Sequence, residues 1–447
     1  MFYDSTLVGE GIMTDNPPFK VALLGSGTVG SQVLRLLTTQ ADELATRIGR
    51  PLELVGVATL DAGPLKAQYP GVNFTDDALG LLASGPDIVI ELMGGIEPAG
   101  SFIRAAIEHG ASVVTANKAL LGAQGPQLYE AADKHGVDLY FEAAVAGAIP
   151  IIRGLRESLV GDEITTVMGI VNGTTNFVLE KMTRDGMTFA DALAQAQAAG
   201  FAEANPTADV EGRDAANKAA IIASLAFHST LTADQVYCEG ITELTPDDMA
   251  AAARANCVVK LIAVCELLPD GAISARVYPA MVPVEHPLAG VHGADNAVFV
   301  LSSQAGRLMF LGPGAGGVPT ASAVIGDVVA VARNRLHGIF GPSQTVDAIR
   351  AVAPIGDAMT RYHMRFRVVD APGVLATVAK IFADHEVSVA NVTQTRPSIL
   401  DDESKWAAEL HLQTHTAREA DQQACVADLA NCPVVGDAPR VMRLEGV

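Results

Sequence analysis

The tightest constraint on this chain is a short apolar run, Val21–Leu24, that leads straight into Gly25-x-Gly27-x-x-Gly30 and then into a helical pattern. At such a junction the first glycine allows a tight turn and the second lets a pyrophosphate approach the backbone. The third lets helix and strand pack closely. Thr28 and Val29 complete the loop, and the helix start offers N–H donors and a positive dipole end to phosphate. A plain strand–helix turn has the same glycines. What weighs against that reading is the row of further short apolar runs, Leu54–Ala58, Asp87–Leu92, Ser112–Thr115 and Asp138–Phe141, with helical stretches between them. Runs that are apolar on both faces belong to a parallel sheet covered by helices. The expected fold class is α/β, with a Rossmann-type nucleotide domain over residues 20–150 that binds NAD or NADP. Asp61 lies about thirty residues past Gly30, somewhat beyond the usual spacing for a ribose reader. It is either that reader or an ordinary loop acid. Lys66 reads as a solvated lysine.

Size and charge limit the partners. The 447 residues admit two or three domains, and 49% apolar content suits a folded protein. The longest apolar runs, such as Ala219 to Phe227, reach about half of what a bilayer needs. With 30 Lys and Arg against 51 Asp and Glu, the net charge is −21. Such a surface repels nucleic acid and anionic membrane. Residues 1–19 carry acids and no Lys or Arg, unlike a secretory n-region, and read as a leader. Cys238, Cys257, Cys265, Cys425 and Cys432 are widely spaced, as expected of reduced thiols in a cytoplasmic protein.

Two further regions follow. Residues 151–345 are Ala- and Gly-rich and mix strand with helix patterns, as in an α+β substrate and dimerisation domain. After the Gly/Pro/Ser-rich stretch His337–Ser343, residues 360–447 read β-α-β-β-α-β, the ferredoxin-like order. Arg361–Asp370 alternates, with Tyr362, Met364, Phe366 and Val368 on one face. Asp370 is expected to cap a helix starting at Pro372, whose inner stripe is Val374, Leu375, Val378, Ala379 and Phe382. Strands near 387–395, 406–414 and 440–444 and a helix near 418–430 complete the order. His411 and His415 are expected to share a strand face at the surface.

Two lysines carry the chemistry. Lys118 follows the strand Ser112–Thr115, at the carboxyl end of the sheet where open α/β folds bind ligands. A surface lysine is the plainer alternative. Lys218 opens a helix that is apolar nearly all round, with Asp214 four residues earlier on the same face. Ordinary i,i+4 ion pairs sit on solvated helices, whereas this one leads into a core. Hydride transfer between carbonyl and alcohol needs a proton moved at oxygen, which a lysine in a dry cleft can do. Glu203, Asp209 and Asp214 offer negative charge to a substrate ammonium group.

These segments resemble homoserine dehydrogenase over nearly the whole chain. The resemblance rests on the glycine loop, Thr115-Ala-Asn-Lys118, Glu142-Ala-Ala-Val-Ala-Gly-Ala-Ile-Pro150 and Gly169-Ile-Val-Asn-Gly-Thr-Thr-Asn-Phe177. It also rests on Gly200–Lys218 and on Gly312-Pro-Gly-Ala-Gly-Gly-Val-Pro-Thr-Ala-Ser322. The tail with Asp370-Ala-Pro-Gly-Val-Leu375 resembles an ACT domain, an amino-acid-sensing module. The resemblance implies NAD(P)-dependent interconversion of L-homoserine and L-aspartate 4-semialdehyde, on the route to threonine and methionine. It implies Lys218 as acid/base, Lys118 orienting cofactor and substrate, and Glu203 and Asp214 binding homoserine. Gly316 would approach the cofactor as the end of the 151–345 region returns toward the nucleotide domain, and Glu142, Val145, Gly147 and Ile149 would hold a sodium ion. It further implies a homodimer or homotetramer and an amino-acid effector, threonine, at the tail. Leu60 stands where many members place an arginine for the NADP 2′-phosphate, and Asn205 replaces the commoner aspartate. Rival readings are a related amino-acid or hydroxy-acid dehydrogenase, and a dinucleotide-binding sensor without turnover. Deleting residues after about 355 is expected to preserve catalysis.

Overall fold

Strand β1 (Phe19–Leu24) takes the centre of a six-stranded parallel sheet in a computed structural model of the chain. The structure describes residues 17–342, 349–395, 406 and 408–446. The other strands are β2 (Leu52–Ala58), β3 (Phe74–Thr75), β4 (Ile88–Glu91), β5 (Ser112–Thr115) and β6 (Leu139–Tyr140), and their order is β3-β2-β1-β4-β5-β6. Sequence reading missed β3, because two residues carry no period. It overran β4, since Asp87 turns its carboxylate back to accept from the Lys20 amide at 2.8 Å. The switch of direction beside β1 opens the crevice in which such sheets take ligands. The expected leader begins before the described residues, and the strand starts inside its last residue, Phe19.

The sheet belongs to the first of two compact units, residues 1–164, 220–233 and 295–349. Its core joins Val21, Leu23, Val33, Leu34 and Ile90 to Ala321, Val324, Val328 and Val331 of the late helix Gly317–His337. The chain thus returns to its nucleotide domain to cover it. This unit also holds the antiparallel hairpin of β11 (Asp295–Ser302) and β12 (Gly306–Pro313).

The second unit contains residues 165–219, 234–294 and 350–447. Its sheet runs β7 (Ile164–Ile170), β9 (Cys257–Leu267), β10 (Ile273–Pro283), β17 (Arg440–Leu444), β13 (Met359–Val368), β15 (Ala408–Thr414), β14 (Val389–Thr395). β8 (Tyr237–Cys238) pairs with β10, and β16 (Ala417–Arg418) pairs with the start of β13. The order β17-β13-β15-β14 is that of the expected ferredoxin-like tail, with Tyr362, Met364, Phe366 and Val368 in its core.

Three expectations for the tail need correction. The helix runs Val374–Asp384 and its N-cap is Gly373, at φ +90°, not Asp370. Its buried stripe is Val374, Val378 and Phe382 alone, while Leu375 is 50% exposed and Ala379 is exposed. One residue in four reaches the sheet, because the next position along the helix points about 100° away. His411 is not a surface residue. β15 alternates, so Leu410 and Leu412 face the helices while His411 faces the opposite side, leaving 10% of its side chain exposed. There its ring lies 5.8 Å from that of His363, over the helix Pro246–Arg254. His415, past the strand end, is exposed. Among the described residues no helix is long and apolar enough to cross a membrane.

Candidate active site

The glycine loop has the steric signature that its role demands. Gly25 adopts φ +94°, and a Cβ there would meet the Leu92 carbonyl oxygen at 2.7 Å. A Cβ on Gly30 would meet the Gly25 oxygen at 2.1 Å, whereas one on Gly27 would enter open space. Of the three, Gly27 is therefore the one whose backbone faces open space. It is also the N-cap of helix Thr28–Thr39, and no side chain caps that helix, which leaves its first amides to a phosphate. Val29 packs on the sheet core. Ser26 Oγ donates to Thr59 Oγ1 at 2.7 Å and ties the loop to the end of β2. Asp61 Oδ1 accepts from the Gly63 amide at 3.0 Å, the geometry of an Asx turn, and Leu60 beside it is 95% exposed. Gly316 is the N-cap of the late helix, and a Cβ on Gly317 would lie 2.8 Å from the Thr28 oxygen. The second glycine segment thus abuts the first.

At the carboxyl ends of β4 and β5 a buried network shapes the floor. Glu91 is fully buried, accepts from the Met93 and Gly94 amides, and takes the Thr115 hydroxyl at 2.7 Å. Asn117 caps the helix Lys118–His135 by accepting from the Leu120 amide and donates to the Gly95 carbonyl at 2.6 Å. Lys118 is therefore the first residue of an 18-residue helix rather than the end of a strand. A cation there opposes the helix dipole, so stability does not explain it. Glu91 and Asn117 were not singled out from sequence, and a lone acid in an apolar run was the available signal.

The segment after β6 turns through a 3-10 turn, Glu142–Ala144, and two successive left-handed residues, Ala146 (φ +54°) and Gly147 (φ +57°). The Glu142 carboxylate accepts from the Ile152 and Arg153 amides at 2.8 and 2.9 Å. Burial, then the charge of Asp327, pushes it up to about 7. Arg153 pairs with Asp327 at 2.5 Å. Gly147 packs on Gly314, and the Ala148 amide donates to the Pro313 carbonyl, so this loop braces the approach to Gly316. No cluster of three or more His, Cys, Asp or Glu able to hold a metal occurs among the described residues.

The second unit holds the acid–lysine cluster. Lys218 and Asp214 are 7% and 5% exposed on the helix Arg213–Ala226. Lys218 Nζ donates to Asp214 Oδ2 and to the Val171 carbonyl, each at 2.6 Å. Asn172, at the junction of β7 and the helix Gly173–Asp185, donates to Asp209 Oδ1 at 2.7 Å and to Asp214 Oδ2 at 2.9 Å. Its own Oδ1 caps the helix by accepting from the Thr175 amide. One amide thus bridges two carboxylates predicted from sequence and ties them to Lys218. Behind it, the buried Lys260 donates to Asn176 Oδ1 at 2.8 Å and to the Val291 carbonyl at 2.6 Å, and burial lowers it to about 8. Asn172, Asn176 and Lys260 escaped the sequence reading of charges, although Asn172 and Asn176 both sit in the quoted motif Gly169–Phe177. Glu203 is exposed. Among the described residues no hydrogen bond or ion pair joins its side chain to this cluster, and its carbonyl accepts from Gln197.

The first unit thus carries the glycine loop and the second a buried lysine–aspartate cluster. Residues 25–142 match the NAD binding domain of homoserine dehydrogenase and residues 150–329 match homoserine dehydrogenase itself. Residues 362–402 match the ACT domain. The homoserine dehydrogenase of Corynebacterium glutamicum is 50% identical over 430 residues, 95% of each chain. The crystal structure of a homoserine dehydrogenase from Thiobacillus denitrificans superposes with a TM-score of 0.89 at 36% identity, covering 96% of this chain and 98% of that one. A hyperthermophilic archaeal homoserine dehydrogenase in complex with NADPH has a TM-score of 0.59 at 27% identity, over 70% of this chain and 98% of its own. A nucleotide loop, a buried lysine held by an aspartate and near full-length similarity converge: the chain belongs to the homoserine dehydrogenase family of NAD(P)-dependent oxidoreductases and carries an ACT domain.

Proposed function

We propose that in this chain Lys218 moves the proton at the substrate oxygen during interconversion of L-homoserine and L-aspartate 4-semialdehyde. The bound nicotinamide supplies or accepts the hydride. The supporting observation is the buried Lys218 ammonium held by Asp214 and by the Val171 carbonyl. Two strong acceptors fix the Nζ position, so the proton moves from a defined atom. Asp214 serves the reaction through this hold. Asp209 and Glu203 receive the substrate ammonium, Glu203 from its exposed turn. Lys118 orients cofactor and substrate, while Gly25, Gly27, Thr28, Val29, Gly30 and Gly316 shape the dinucleotide seat. The test is cofactor oxidation with aspartate semialdehyde, run with NADH and with NADPH. We expect Lys218→Ala to lose turnover while keeping dinucleotide binding, and wild-type kcat in that variant would make Lys218 structural.

Either NAD or NADP is accepted in this reading. The open Leu60 surface gives a 2′-phosphate no cation, and the Asp61 turn still presents a second oxygen to a ribose hydroxyl. A sodium ion would meet main-chain oxygens of Glu142, Val145, Gly147 and Ile149. The Glu142 carboxylate is already engaged by two amides, and carbonyl oxygens are ligands of the hard type such an ion takes. The enzyme works in the cytoplasm, in keeping with five free thiols. An amino-acid effector, threonine, acts through the ACT domain. A homodimer or homotetramer is supported by the exposed apolar Leu375 and Val392 of that domain, and sedimentation would read it.

A further inference from the structure

Asn296, the second residue of β11, is 1% exposed, and among the described residues neither its Nδ2 nor its Oδ1 has a hydrogen-bond partner. We infer that Asn296 is a positioning residue for the dinucleotide. Its side chain seats Gly314, which fixes where Gly316 and Gly317 stand against the glycine loop, and cofactor binding brings main-chain groups of that segment to the idle amide. The inference rests on the reading that Gly316 belongs to the dinucleotide seat. It adds the residue that holds the segment and a reason for an unpaired amide in the core.

A buried amide without partners destabilises a fold, whereas an apolar side chain of the same shape does not. The residues that follow on β11, Ala297 to Val300, are buried and apolar, so the core itself gains nothing from a polar group at this point. The packing shows what the amide touches. A Cβ on Gly314 would lie 2.0 Å from the Asn296 Cγ and 2.2 Å from both Nδ2 and Oδ1. Three nearly equal distances mean that the amide lies face-on against Gly314. Amide hydrogen bonds form near the plane of the group, so this contact makes none, and both polar atoms are aimed past Gly314 rather than at it.

The segment that rests on Asn296 reaches the glycine loop, and all of it lies in the first unit. Pairing of β11 with β12 sets Asn296 opposite Gly312. From there the chain runs through Pro313 and Gly314 to the N-cap Gly316, at φ +115°, and to Gly317. Glycines bring no side chains to lock such a path, so contacts from outside must hold it. Gly147 presses on it as well. A Cβ there would lie 2.6 Å from the Gly314 carbonyl, and the Ala148 amide donates to the Pro313 carbonyl at 3.2 Å. At the far end, a Cβ on Gly317 would lie 2.8 Å from the Thr28 oxygen, on the first turn of the helix that opens at Gly27. A displacement at Gly314 therefore reaches Gly316, and Gly317 has no room to move toward Thr28. A cofactor that settles Gly316 settles the path over Asn296. Pairing of the amide in that arrangement adds to cofactor affinity by the difference between the two states.

The test is calorimetric titration of the full chain with NADH and with NADPH, beside thermal denaturation without cofactor. Three variants accompany the wild type. Asn296→Leu keeps the branched shape without polar atoms, Asn296→Ala removes the amide without adding bulk, and Gly316→Ala reports on the seat itself. We expect both Asn296 variants to bind the dinucleotide about tenfold or more weakly, as for loss of a buried hydrogen bond. Gly316→Ala should lose affinity as well. Without cofactor, Asn296→Leu should melt at or above the wild-type midpoint, because it removes two unpaired polar atoms. An amide that served only the fold would give the reverse, a lowered midpoint at unchanged affinity. Wild-type affinity in Asn296→Ala overturns the inference, since bulk alone then explains any loss with leucine. A cofactor-free midpoint of Asn296→Leu below wild type also overturns it, since the amide then supports the free fold. If Gly316→Ala still loses affinity in either case, the seat stands and only the role of Asn296 falls. Wild-type affinity in Gly316→Ala places Gly316 outside the seat and overturns both readings.

Discussion

Asn172 shows how much one uncharged side chain decides at the residue scale. Its amide nitrogen serves Asp209 and Asp214 while its oxygen caps the helix Gly173–Asp185. Serine caps helices about as well as asparagine but cannot reach both carboxylates as a donor. Asn172→Ser should therefore keep the thermal midpoint, lower kcat or raise the homoserine KM on the order of 10- to 100-fold, and leave the dinucleotide KM unchanged. Steady-state kinetics against each substrate would check this, and equal loss against both would reduce Asn172 to a structural cap. At the other pole, Leu60→Arg places a cation on the exposed surface after β2. A charged hydrogen bond to a 2′-phosphate contributes about 1.5 kcal/mol, so kcat/KM for NADPH relative to NADH should rise about tenfold. An unchanged ratio would place the ribose elsewhere. Lys118 was legible from its place after a strand at the carboxyl end of the sheet, and Asp214 and Lys218 from their four-residue spacing at the start of an apolar helix. Asn172 was not, since an amide near a helix start reads as an ordinary cap.

Alternation made the strands legible at the element scale, yet it left open what lies against each face. β13 and β15 turn an apolar face to their own helices and a second face, with His363 and His411, to the helix Pro246–Arg254. Only one of those faces is announced by hydrophobicity. His363, 5% exposed, is lowered to about 4, by burial first and then by His411, Arg365 and Arg254. The unfolded chain takes its proton near 6.5, whereas the folded chain refuses it until about 4. Stability is thus unaffected above that window and falls as pH drops through it, by up to about 3 kcal/mol. His363→Gln should narrow the loss of denaturation midpoint between pH 7 and pH 5 relative to wild type. Equal losses in both proteins would show that the folded imidazole is already charged. The overdrawn stripe on helix Val374–Asp384 has the same origin: apolar residues at i and i+1 both score as core, and geometry admits only one.

The tail does not stand apart from the rest in the whole molecule. β17 pairs antiparallel with β13 and parallel with β10, so the last strand of the ACT domain is also a strand of the substrate sheet. Glu445, just beyond it, holds the buried Tyr278 hydroxyl and pairs with Arg276, which is 1% exposed. The expectation that residues after about 355 can be deleted with catalysis preserved conflicts with this pairing. Removal leaves β10 with an open edge and strips a buried arginine of one of its carboxylates, a loss of about 3 kcal/mol or more. The truncated chain should melt well below the full chain and tend to aggregate, as thermal denaturation and light scattering would show. A wild-type melting point would make β17 dispensable. The sequence by itself determined the dinucleotide loop, the parallel sheet, the acid–lysine pair at helical spacing and the order of the ACT elements. Each of these is written in local period or in residues a few positions apart, where chain geometry leaves little choice. The return of the chain toward the nucleotide domain was expected from the family resemblance, and only the tertiary structure decided that Asn172 joins two carboxylates and that β17 is shared. Those contacts link residues far apart in the chain. They arise from the burial of complementary faces, which a single sequence records as apolar without naming the partner.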